Sequence, residues 1–143
     1  MTRTFSAVLL CACLAAGQGW AAQPDQSGVP SRTNGQNYKD RALAGCIATA
    51  YKGSPAGDDA SASTGAYLDW TAFDAELEPL LDALIAKYLA RNYMGSPEAY
   101  AGARFELLKC IDLYRSKDLE QLMRKAVPHP TWVGDKPAKA PKR

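Results

Sequence analysis

Few side chains in this sequence are able to do chemistry. The 143-residue chain holds four cysteines and a single histidine. A Cys–His nucleophile needs an imidazole that can reach and activate the thiol. His129 instead lies between Pro128 and Pro130 near the C-terminus, where it reads as a solvent-facing turn residue. Zinc sites use characteristic Cys/His spacings, and the sequence has neither C-x-x-C nor a histidine close to a cysteine. Acids do cluster: Asp69, Asp74, Glu76, Glu78 and Asp82 fall in a stretch without Lys or Arg. Two carboxylates at the right separation could serve a small hydrolase. The plainer readings of such a run are a solvated helix face or an electrostatic docking surface. Gly-rich phosphate loops, haem attachment motifs and internal repeats are all missing. The residues therefore point to a protein that works by binding, without catalysis, metal or other cofactor.

The cysteines depend on where the chain ends up. Residues 1–21 read as a secretory signal, with Arg3 as the positive start, an apolar run over 5–16, and small residues Gly19 and Ala21 at the cleavage site. The apolar run is short for a membrane span. A lipoprotein box at Cys11 or Cys13 has too little apolar sequence before it. Cleavage after Ala21 removes both of those cysteines and leaves 122 of the 143 residues, enough for one domain. After export, Cys46 and Cys110 read first as a disulfide and second as two buried thiols. A bridge across so long a loop would stabilise the fold by roughly 4 kcal/mol in the chain-entropy view.

Periodicity supplies the elements that hold these residues. Residues 103–114 form the organising amphipathic helix, with Ala103, Leu107, Cys110 and Tyr114 on the apolar stripe and Arg104, Glu106, Lys109 and Asp112 outward. An earlier helix over 36–51 carries Tyr38, Ala42, Cys46 and Ala50 inward, with Lys39, Asp40 and Arg41 in water. Gly53 to Gly57 breaks it. Small residues over 59–72 suggest either a closely packed second helix or a loosely helical connection. Residues 74–91 form a third helix, with Pro79 in its first turns. Ser116 caps a last helix with Leu119, Leu122 and Met123 inward. The expected fold is an all-α bundle of about five helices with one disulfide. Residues 22–35 read as a flexible arm, 36–130 as the domain and 131–143 as a disordered basic tail, although 128–132 could lie against the body. Formal charge is +2, and losing Arg3 leaves +1. The tail supplies +3 of that, so the body carries −2. This excludes a nucleic-acid patch as the source of the basic balance.

Candidate contact residues are Tyr93, Met94, Tyr100 and Trp70, the last read as core. Segment 92–99 joins Tyr and Met to turn formers, in a link longer than two antiparallel helices need.

Four stretches resemble, in order, the type VI secretion amidase immunity proteins cognate to family-four effectors. They are 36–52 (QNYKDRALAGCIATAYK), 68–70 (LDW), 87–91 (KYLAR) and 104–119 (RFELLKCIDLYRSKDL). Together they cover most of residues 36–130, both cysteines included. The resemblance implies a periplasmic, all-α homodimer with a disulfide. It also implies a heterotetramer with the cognate peptidoglycan amidase, a papain-like cysteine peptidase cutting between D-glutamate and diaminopimelate. A protruding loop of the immunity protein would plug the amidase cleft, helped by a helix of the second subunit. The matching position is 92–99, and with Tyr100 it gives the candidate contact residues Asn92, Tyr93, Met94, Gly95, Ser96, Pro97, Glu98 and Tyr100. An immunity or adaptor module for a different target is the alternative.

Overall fold

A computed structural model describes residues 28–93 and 100–137; the expected signal and the far ends of the arm and tail fall outside these. Five helices carry the architecture: α1 (Asn34–Ala50), α2 (Pro55–Leu68), α3 (Glu78–Leu89), α4 (Glu106–Tyr114) and α5 (Lys117–Ala126). Two strands, β1 (Trp132–Val133) and β2 (Lys136–Pro137), pair antiparallel after α5, where a disordered tail was expected. This hairpin is held to the body by Asn34, whose Nδ2 donates to Gly134 O at 2.9 Å, and by Gly35 N, which donates to Pro130 O at 2.9 Å.

α1 is the axis, packing on the other four helices. It starts at Asn34, two residues before the expected Gln36, because Thr33 and Gln36 form a reciprocal capping box. The segment before it is not all free arm, since Val29 sits buried in a 3-10 turn. Tyr38, Ala42 and Cys46 face inward as expected. Cys46 Sγ bonds Cys110 Sγ, with the Cα atoms 5.6 Å apart, joining α1 to α4. Leu113 and Leu119 close the core at 0% exposure, each worth ~2 kcal/mol of burial.

Helix α2 begins four residues before the expected Asp59. Ser54 accepts a hydrogen bond from Gly57 N at 3.2 Å and Pro55 opens the first turn, a cap-plus-proline start. Gly57 is obligatory there: a Cβ would lie 2.2 Å from Tyr51 O. α2 also ends at Leu68, before the expected 72, so Trp70 falls in the following turn and is 40% exposed instead of in the core.

Charged residues depart most from the expected pattern. Arg41, placed in water by periodicity, is buried. Its guanidinium lies over the Phe73 ring (4.8 Å) and both terminal nitrogens donate to the Glu78 carboxylate, one at 2.9 Å. On α4, Glu106 and Lys109 are buried while Leu107 points out, and Ala103 lies before the helix. α4 is thus rotated relative to the expected stripe, because its inward face must bring Cys110 onto α1 and Lys109 onto the end of α3. Lys109 Nζ donates to Leu89 O at 3.0 Å and pairs with Glu106 Oε2 at 3.5 Å.

Candidate functional site

The link between α3 and α4 is anchored at both ends by side chains of the helices themselves. At its start, Arg91 lies with its guanidinium over the Tyr88 ring (3.6 Å). The Tyr93 hydroxyl donates to Asp112 Oδ2 of α4. Burial, then this bond, hold the Tyr93 phenol above its ordinary pKa. Lys109 seals the last carbonyl of α3, Leu89 O, where a cation also meets the negative end of the helix dipole. The loop therefore leaves from a fixed point.

Its return is equally defined. Ala103 N donates to Tyr100 O at 2.9 Å, with Gly102 at φ 83° supplying the turn. Phe105 follows at φ 54°, the one non-glycine residue with positive φ among the described residues, and occupies the N-cap of α4. Such a conformation costs of order 1 kcal/mol or more and persists where the surroundings enforce it. Here the Tyr100 ring meets Phe105 edge-on at 6.0 Å. Between departure and return lies a depression of 410 Å³ bordered by Asn92, Tyr93, Tyr100, Arg104 and Lys109.

Of the sequence-stretch candidates, Asn92 and Tyr100 are exposed and Tyr93 is a half-buried anchor. Met94, Gly95, Ser96, Pro97 and Glu98 lie outside the described residues. Tyr100 is 55% exposed, the largest fraction among the large hydrophobic side chains of the described residues. Sequence reasoning missed Phe105, Leu107 and Leu108 as surface groups.

The chemical candidates are otherwise occupied. Cys46 and Cys110 are in the disulfide, and His129 stacks on Trp132 with ring centroids 3.9 Å apart. In the acidic run, Glu78 is bound to Arg41 and Asp74 caps the turn before α3 by accepting from Glu76 N at 3.0 Å. Asp69, Glu76 and Asp82 are exposed.

Comparison with known proteins places this scaffold. Residues 36–123 match the family described as Tai4: Type VI secretion system (T6SS), amidase immunity protein. The chain is similar to a solved structure described under new Type VI-secreted toxins and self-resistance proteins in Serratia marcescens. That match has 26% identity and a TM-score of 0.66, covering 78% of this chain and 92% of the other. It is also similar to a chain of the effector–immunity system Tae4/Tai4 from Salmonella typhimurium, selenomethionine variant, at 27% identity and TM-score 0.63, covering 71% and 96%. A comparison with curated protein sequences gives no match. The matched region runs from the first turn of α1 well into α5 and takes in both bridged cysteines, so this chain belongs to the Tai4 family of type VI secretion system amidase immunity proteins.

Proposed function

We propose that this protein acts in the periplasm, where it binds and blocks a type VI secreted peptidoglycan amidase of the family-four class. The target is a cysteine peptidase cutting D-glutamate–diaminopimelate bonds, and the protein shields its own cell from sister-cell attack. The family match over residues 36–123 carries this reading. The protein is an inhibitor with no reaction of its own. Its cysteines are held in a structural bridge and its histidine is packed on a tryptophan.

The contact element is residues 92–100. A substrate cleft is concave, so it admits a narrow projecting segment more readily than a helix side. The anchoring of Tyr93 to Asp112 and of Lys109 to Leu89 fixes where that segment begins, and pre-organisation of this kind reduces the entropy lost on binding. The protein works as a homodimer carrying two amidases. A module of the same fold aimed at another target remains the competing reading, which a pull-down against a purified family-four amidase decides.

The loop itself is tested by replacing residues 94–98 with an equally long Gly/Ser segment, leaving Tyr93 in place. Inhibition should fall about tenfold or more, equivalent to ~1.4 kcal/mol of binding, with the melting temperature unchanged. Full potency in the swapped protein would refute the loop. A strong slowing of association by moderate salt would then assign binding to the acidic stretch from Asp69 to Asp82.

A further inference from the structure

α4 has more apolar surface than its own fold uses. Leu107 is 49% exposed, Leu108 45% and Tyr51 36%. With Phe105 and Ile111 they line a depression of 730 Å³ between the end of α1 and the start of α4. Cys110 and Leu113 already fill the inward side of the same helix. A helix that is apolar on both sides is ordinarily covered on both, and a contiguous exposed apolar patch marks a surface that meets a partner.

We propose that this shelf is the second half of the amidase-binding surface, seated on an apolar rim of the enzyme beside the cleft that the loop enters. The inference rests on the reading of residues 92–100 as the inhibitory loop. Two observations favour the amidase as occupant. First, the shelf is continuous with the base of the loop: Gly102, Ala103, Arg104 and Phe105 wall both depressions. Anything bound in the depression at the loop's base abuts the shelf. Second, stable protein pairs use about 20–30 residues a side and bury roughly 800 Å² on each partner. The short segment 92–100 falls well below that alone, and the shelf adjoins it. The composition fits as well, since interfaces are enriched in aromatics and Arg, and the exposed Arg104 side chain stands where the two depressions meet. Phe105, held at positive φ, is the joint that turns the chain from loop to shelf.

The test compares full mature protein with a Leu107→Gln/Leu108→Gln double variant and a Leu68→Gln control. Leu68 is 48% exposed at the C-terminal end of α2, away from Tyr51. The probe is a purified family-four amidase. Kd and sedimentation are measured for each protein, with melting temperature as the check on folding and Leu108→Ala as the milder variant. The expected result is a Kd raised about tenfold or more in the double variant, ~1.4 kcal/mol, with sedimentation and melting unchanged and the control at wild-type affinity. An unchanged Kd overturns the shelf while leaving the loop standing. A variant that sediments as a smaller species assigns the shelf to a second copy and overturns it too. Failure of the wild type to bind the amidase refutes the underlying reading itself.

Discussion

α4 and α5 are neighbours in sequence, similar in length, and built on opposite plans. α5 has one apolar side, with Leu119, Leu122, Met123 and Ala126 inward, and it is capped by Ser116 Oγ accepting from Leu119 N at 3.0 Å. Its two acids lie in the first turn and two of its three bases, Arg124 and Lys125, in the last, which suits the helix dipole. α4 lacks a side-chain cap, starts from a left-handed Phe105, buries an ion pair and exposes two leucines. One helix satisfies only the fold. The other is tied into the core by a covalent bond and still presents apolar surface, a combination that makes sense where a binding surface has to be rigid.

The contrast can be broken by substitution, beginning with the covalent bond. Cys110→Ala should lower stability by about 4 kcal/mol under oxidising conditions and by much less in excess reductant; chemical denaturation in both states measures it. Equal losses would show that packing, not the bridge, sets the effect. Leu119→Ala on α5 should cost about 3 kcal/mol, as fully buried leucines do. Leu108→Ala on α4 should change stability by less than about 0.5 kcal/mol, a difference visible in paired melts. Ser116→Ala should cost about 1 kcal/mol. The smallest effect lies at Asp118, whose pKa is lowered by its bond to Lys87 Nζ at 2.8 Å. A carboxyl with a depressed folded pKa adds stability that is present above its ordinary value, 3.8, and fades as pH falls below it. Asp118→Asn should therefore flatten the acid side of the stability curve slightly and leave neutral stability nearly alone.

The two helices also show what single-sequence reasoning reaches. Ser116, the inward trio of α5 and the Cys46–Cys110 pairing were legible because each follows from local pattern or from the chemistry of export. The rotation of α4 was not. Glu106 and Lys109 look like surface residues until the last carbonyl of α3 is known to need a donor, and that need is tertiary. Arg41 is similar: its partner Glu78 is 37 residues away, and the Phe73 ring beneath it belongs to neither helix. The start of α2 had a readable signal in Ser54 and Pro55, masked by the glycines around them. Trp70 was read as core because it is a large aromatic; it lies in the turn after α2, where half-exposure is possible. The hairpin at 132–137 was hidden by a Lys- and Pro-rich composition that resembles a free tail.

The bridge has a topological consequence. Cys46 and Cys110 enclose all of α2, α3 and the loop between α3 and α4 in a single covalent ring. A peptide bond cut anywhere in that ring, including within the link between α3 and α4, opens the ring without releasing a fragment. Nicked protein would run as one species on a gel until reductant is added, and as two afterwards.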